Sequence, residues 1–239
     1  MERTYRVGTR TSPLALKQVE EAMVMLRMFY PGMRSEVIGI DTYGDKDKVT
    51  PISEIEETDF FTREIDEALL KNEIDFAVHS AKDLPDELRK GLTIAAITDS
   101  IDPFDALVSK SSLTLDKLPE GARIGTSSLR RKTQLKEYRN DFEIVDVRGN
   151  IEERLKLLDS NHLSYVGNRH ACSLHLDAIV IAACGLIRLD LSHRITQKIP
   201  LDILKPHPLQ GGLAIVAKEN NTELLRLLSI IDSRKEVLS

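Results

Sequence analysis

Three scarcities narrow the reading at once. The chain has only two cysteines, Cys172 and Cys184, too few for a disulfide framework, so both are expected to be free thiols in a reducing compartment. It has no apolar run of about 18 or more residues, which excludes a membrane-spanning helix. Met1-Glu2-Arg3-Thr4-Tyr5 also lacks the apolar stretch of a secretory signal, so a cytoplasmic protein is expected. Finally there is no positive excess: Lys and Arg number 33 against 38 Asp and Glu, a net charge of -5. Bulk attraction to nucleic acid or to an anionic membrane is therefore not expected, and an anionic ligand has to be met by a local cluster of cations. The placement of arginines becomes informative for that reason.

What is present is enough for a substantial core. With 239 residues, 41% hydrophobic and 30% charged, the chain suits one large domain or two small ones. Short β-branched runs alternate with amphipathic stretches: strands are expected at Tyr5-Arg6-Val7, Val37 to Ile40, Phe76-Ala77-Val78 and Leu92 to Ile97. The first helix is well signalled. Ser12 caps it, Pro13 suits its first turn, and Leu14, Leu16, Val19, Met23 and Leu26 recur at helical spacing up to Tyr30-Pro31-Gly32. The polar stretch Thr42 to Thr58 reads as a long loop, and Asp59 opens a second helix through Leu70.

A second set follows Asp102-Pro103. Strands are expected at Ala106-Leu107-Val108, Arg123-Ile124-Gly125, Ile144 to Val147 and Ala178 to Ile181, with helices at 128–138 and 151–159. Gly211 to Ala217 reads as one more strand and Glu223 to Ile231 as a final helix. The economical architecture is two α/β lobes, 1–98 plus 206–239 and 99–205, with the active cleft between them. No internal repeat or low-complexity segment interrupts this plan.

Several motifs can carry chemistry. Thr126-Ser127-Ser128-Leu129-Arg130-Arg131-Lys132 follows a strand and opens a helix, where free N–H groups, the helix dipole and guanidinium groups suit a carboxylate or phosphate. The plainer reading is a helix cap with solvated basic residues. Arg148-Gly149-Asn150 closes the next strand and Arg154 lies one helical turn further on, so both can project to the same strand-end face. Arg10, in Gly8-Thr9-Arg10-Thr11-Ser12, occupies the same kind of turn. His79-Ser80-Ala81-Lys82-Asp83-Leu84-Pro85 puts an imidazole, an ammonium and a carboxylate at a strand exit; Asp83 suits an acid, a base or the stabiliser of a developing cation, and equally a polar turn with a surface Asp-Lys pair. His162, His170, Cys172 and His175 match no defensible zinc spacing, and no metal is expected.

These motifs stand in the order found in hydroxymethylbilane synthases (porphobilinogen deaminases), and the chain resembles that family over about residues 4–232. The resemblance rests on Arg6-Val7-Gly8-Thr9-Arg10-Thr11-Ser12-Pro13-Leu14-Ala15, Gly44-Asp45, His79 to Pro85, Gly125 to Arg131 and Arg148-Gly149-Asn150, with one insertion around 161–174. It implies a two-lobe fold like that of type II periplasmic binding proteins. It also implies a transferase of tetrapyrrole (haem) biosynthesis that joins four molecules of porphobilinogen into hydroxymethylbilane with release of ammonia. Each added pyrrole brings two carboxylates, which gives the arginines a physical task. On the resemblance, Arg10, Ser12, Ser128, Arg130, Arg131, Arg148 and Arg154 bind carboxylates with Lys82 assisting, and Asp83 is the catalytic aspartate that stabilises the cation left by amine loss.

The sequence also departs from the family. The family tethers a dipyrromethane cofactor to a cysteine on a third, α+β domain, which is expected to be absent here, and neither Cys172 nor Cys184 matches the attachment position. Glu54 and Thr58 stand where relatives usually have lysines, and Pro208-Leu209-Gln210-Gly211-Gly212 replaces a Gly-Gln-Gly arrangement. The alternatives are a homologue that binds porphobilinogen or another polycarboxylate without turnover, and a general anion receptor, which has no need of Asp83. A small-molecule substrate and a monomeric state are expected.

Overall fold

A computed structural model of the chain describes residues 3–46, 60–160 and 175–234. It divides into two compact units, the first made of described residues 3–46, 60–101 and 208–234, the second of 102–160 and 175–207.

The first unit is built on a five-stranded sheet of order β2-β1-β3-β10-β4. Strands β1 (Thr4–Arg10), β2 (Arg34–Ile40) and β3 (Phe76–Ser80) run parallel, whereas β10 (Leu213–Lys218) is antiparallel to both β3 and β4 (Leu92–Ile97). The central strands are apolar on both faces because both faces are covered. On one side lies α1 (Pro13–Phe29), whose buried Val19, Ala22, Met23 and Leu26 follow the helical period and meet Val7, Phe76, Val78 and Ile215. α7 (Thr222–Leu228) joins the same layer through Leu224 and Leu228. On the other side, α3 (Arg63–Leu70) packs Ile65 and Leu69 on Ala77 and Val216. Complete burial of a side chain such as Phe76 is worth roughly 1.5–3 kcal/mol.

The second unit repeats the topology with unrelated residues. Its sheet has the order β7-β6-β8-β5-β9, where β6 (Arg123–Gly125), β7 (Glu143–Val145) and β8 (Ala178–Ala182) are parallel and β5 (Asp105–Ser109) is antiparallel to β8 and β9 (Gln197–Ile199). α4 (Leu129–Tyr138) covers one face through Leu135, beside Phe142 and Ile124. α5 (Ile151–Asp159) and α6 (Ala183–Arg188) cover the other with Leu155, Leu158 and Leu186.

Two short elements, α6 and β9, fall where no element was expected, and four further details differ from the sequence expectation. Tyr43–Lys46 forms a short helix, α2, inside the segment read as a loop; the rest of that loop lies outside the described residues. α3 starts at Arg63, Asp59 lying outside the described residues. β7 stops at Val145, because the backbone N–H of Val147 turns to the Ser127 hydroxyl at 3.1 Å instead of continuing the ladder. The last helix is α-helical only to Leu228 and then tightens into a 3₁₀ turn, Ser229–Ile231. No helix among the described residues is long and apolar enough to cross a membrane.

Candidate functional site

The carboxyl ends of parallel strands are where α/β sheets expose backbone N–H groups and side chains to a ligand. In both units the residues singled out by sequence sit at such ends.

In the first unit β1 ends at Arg10 and the chain turns at once into α1. Ser12 caps that helix, its Oγ accepting from the backbone N–H of Ala15 at 3.3 Å, which leaves the hydroxyl proton available to a ligand. The turn is tied inward by the Thr9 hydroxyl, which donates to the Val78 carbonyl at 3.2 Å, and by the buried Gln18 amide, which donates to Ser80 Oγ at 2.7 Å. β1, α1 and the end of β3 thus form one rigid wall. Arg10 lies along it with a bidentate fork onto Asp45, Nε standing 3.1 Å from both carboxylate oxygens and Nη2 bonded to Oδ1, while its guanidinium stacks 4.5 Å over the Phe61 ring centroid. Burial pushes the Asp45 carboxyl up, but the hydrogen bonds and charge of Arg10, with the Thr42 hydroxyl, outweigh it and hold Asp45 ionised to below the usual carboxylate range.

After β3 the chain makes a 3₁₀ turn, Ala81–Asp83, fixed where the Ala81 N–H donates to the Gly212 carbonyl at 3.0 Å. Lys82 Nζ donates to Oε1 of the buried Gln210 at 3.3 Å. Asp83 is exposed at the mouth of a small pocket of about 60 Å³ that Arg10, Ser12, Gln18, Phe61, His79 and Ser80 also line. His79 is 6% exposed, and its Nε2 is buried with no hydrogen-bond partner among the described residues. Burial lowers the imidazole pKa to about 4, the Asp83 charge pulling it up and the Arg10 charge down, so His79 is neutral at physiological pH.

In the second unit Ser127 joins two strand ends, its hydroxyl donating to the Val147 carbonyl at 2.6 Å and accepting from the Val147 N–H. Ser128 caps α4 through a long bond, 3.5 Å, from the Arg131 N–H. The two arginines that follow share one partner, Asp105 on β5. Arg131 Nη2 and Nε lie 2.6 and 3.0 Å from Asp105 Oδ1, and Arg130 Nη2 lies 2.7 Å from Oδ2. The Asp105 side chain is fully buried and Arg131 nearly so, whereas Arg130 keeps 26% of its side chain exposed. Burial raises the Asp105 pKa, but the two guanidinium groups more than offset this and leave it below the ordinary value.

Arg148 sits half-buried on the turn before α5. Gly149 has φ +96°, a conformation that disfavours any side chain, and the turn closes as a capping box in which Asn150 and Glu153 exchange two 2.8 Å bonds. Arg154 Nε donates to the Gly149 carbonyl at 2.9 Å, so both arginines are referred to this one turn.

The sequence reading named Arg10, Ser12, Lys82 and Asp83, and the structure brings these four to one strand-end face of the first unit. In the second it places Ser128 and Arg148 on strand-end turns and Arg130, Arg131 and Arg154 in the first turns of the helices that follow, α4 and α5. Missing from that reading are the carboxylate Asp105, the pairing of Asp45 with Arg10, the contact of Lys82 with Gln210, and the pocket residues Gln18 and Phe61. The capping box of Asn150 and Glu153 emerges from the structure, and the carboxylate partners carried no local signal. Cys184 is buried on α6, and Cys172, His162, His170, Glu54 and Thr58 lie outside the described residues. His175 pairs with Asp177 at 3.2 Å, and no metal-ligand cluster occurs among the described residues.

Comparison with known proteins bears on these turns. A family model described as "Porphobilinogen deaminase, dipyromethane cofactor binding domain" matches residues 5–226. The porphobilinogen deaminase of Natranaerobius thermophilus is 42% identical over 97% of this chain and 72% of its own length. That of Pelotomaculum thermopropionicum is 41% identical over the whole chain and 72% of its own length. Among solved structures the methionine-binding protein MetQ is similar at a TM-score of 0.52 with 15% identity, covering 95% of this chain and 89% of MetQ. The fold is the two-lobe α/β fold of type II periplasmic binding proteins.

Proposed function

The chain belongs to the porphobilinogen deaminase family, and from that footing we propose that its strand-end arginines bind pyrrole carboxylates while Asp83 is the catalytic group. The activity is that of a hydroxymethylbilane synthase: a transferase of tetrapyrrole biosynthesis that joins porphobilinogen molecules with loss of ammonia.

The observation that carries the residue assignment is the pocket at the end of β3, where one acidic group, Asp83, shares a small space with the Arg10 guanidinium and the hydroxyl residues Ser12 and Ser80. Loss of ammonia from the substrate leaves positive charge on the pyrrole. A carboxylate fixed on a short turn stabilises that charge without reorganising, and its placement by the Ala81–Gly212 hydrogen bond supplies the fixity. Arg10, with its Nε and Nη2 held by Asp45, offers its remaining N–H groups and Ser12 a hydroxyl to the acetate and propionate groups, and Lys82 adds a point charge. In the second unit Arg130, Arg148, Arg154 and the Ser128 hydroxyl do the same. Arg131 is bound so completely to Asp105 that its part is to hold the turn and the orientation of Arg130.

The donor set fits the dipyrromethane group that the matching family model is described as binding: cations for its carboxylates, and in Asp83 an acceptor for pyrrole N–H groups. Arg10, Ser12 and Lys82 in the first unit and Ser128, Arg130, Arg148 and Arg154 in the second would hold it. Bound, it would supply the pyrrole end to which porphobilinogen units are joined. Measuring porphobilinogen consumption by the wild type and by Asp83→Asn tests the assignment: the wild type is active and the variant loses at least about 100-fold in rate, whereas equal rates overturn it.

A further inference from the structure

His79 stands among the motif residues, yet nothing in the reading above needs it. It lies on the central strand β3, paired in register with Ala214, and lines the same pocket as Arg10, Ser12, Ser80 and Asp83. Its Nε2 is buried and makes no hydrogen bond among the described residues, an arrangement that costs about 1–3 kcal/mol if the pocket stays empty of partners. Buried polar atoms in folded proteins are satisfied by protein, by ordered water or by ligand, and this pocket, lined by Ser12, Gln18 and Ser80 beside apolar Leu14 and Val78, is large enough to admit one.

We propose that His79 is a substrate-binding residue: its Nε2, on the tautomer that carries its proton on Nδ1, accepts a hydrogen bond from an N–H of the bound pyrrole substrate beside Asp83. The charge pattern selects a donor. Asp83 presents a second acceptor at the same pocket, and Arg10, the only cation lining it among the described residues, has its Nε and Nη2 on Asp45, so an N–H entering beside His79 meets two acceptors. A ligand carboxylate in the same place would meet the Asp83 charge. A neutral imidazole is also required, since an imidazolium would repel the cation formed as ammonia leaves. His79 therefore neither gives nor takes a proton in the reaction; it orients the pyrrole so that Asp83 faces the developing charge.

The inference rests on the porphobilinogen reading, and the test separates the two. Gln places a polar atom near the position of Nε2, Asn near Nδ1, and Phe keeps the ring without either. Binding of porphobilinogen to the wild-type chain and to His79→Gln, His79→Asn and His79→Phe is measured by calorimetry, with thermal unfolding of each variant alongside. The wild type binds, Gln keeps affinity within about threefold, and Asn and Phe weaken it by about tenfold, the worth of one hydrogen bond. In ¹⁵N-histidine spectra of the wild type, the resonance missing from His79→Gln reports an unprotonated Nε2 that shifts when porphobilinogen is added. Equal binding by His79→Phe, rescue by Asn and not Gln, or a protonated Nε2 in the complex overturns the proposal and leaves the function standing. A folded wild type that binds no porphobilinogen overturns both.

Discussion

Arg131 and Asp105 form an ion pair out of reach of water: the guanidinium donates to Oδ1 at 2.6 and 3.0 Å, the Asp105 side chain has no exposed surface, and Arg131 retains 8%. A pair this deep contributes little over an apolar replacement, because desolvating both charges offsets their attraction, but removing one member is costly. Asp105→Asn is therefore expected to destabilise the second unit by about 3–5 kcal/mol, measured as a shift of the denaturation midpoint. Because the same carboxylate holds Arg130, the variant is also expected to raise KM more than it lowers kcat.

Acid sensitivity follows from the signs of the shifts. The folded-state pKa of His79, about 4, lies below its unfolded value of 6.5, so unfolding takes up a proton between these pH values. The contribution of neutral His79 is present above pH 6.5 and is lost as pH falls toward 4; the difference amounts to about 3 kcal/mol. Asp45, Asp75, Asp105 and Asp232 are also lowered from 3.8, so their contributions are present above that value and are lost as pH falls through the folded-state pKa values below it. Stability measured by denaturant titration should thus decline in two stages. His79→Gln should abolish the first and leave the second.

Arg10→Lys keeps the charge and discards the fork. Lysine cannot reproduce the bidentate geometry seen with Asp45 or the stacking on Phe61, and kcat/KM is expected to fall by roughly tenfold, mainly through KM. Steady-state kinetics across porphobilinogen concentration check the split.

Gly149→Ala tests the turn that serves Arg148 and Arg154. A Cβ there would stand 2.5 Å from Glu153 Oε2, and φ +96° is strained for any side chain, so the capping box has to open. The expected cost is about 1–3 kcal/mol in stability together with a raised KM. An unchanged KM would mean that this turn does not position the ligand.

These predictions combine residues the sequence made legible with residues it did not. Ser12, Pro13 and the apolar spacing of α1 were readable because capping and periodicity are local, and so were the isolated apolar strands. α6 was missed because Ala178 to Leu186 is one continuous apolar run with no side-chain cap at Ala182, so nothing local marks where strand gives way to helix. The arginines were found through their motifs, but their partners were not: Asp45 is 35 residues from Arg10, and Asp105 is 26 from Arg131. Such pairings are made by the sheet, which brings β5 beside β8 and through it to α4, and only tertiary structure reveals which guanidinium groups already have a carboxylate.

The most direct test of the account is to incubate the folded wild-type chain and Asp83→Asn with porphobilinogen, following its loss, the ammonia released and the hydroxymethylbilane formed. The account predicts that the wild type consumes porphobilinogen with one ammonia released for each molecule joined, and that Asp83→Asn, equally folded, is slower by at least about 100-fold. A folded wild type that consumes none, or an Asp83→Asn variant that keeps pace with it, would contradict the account.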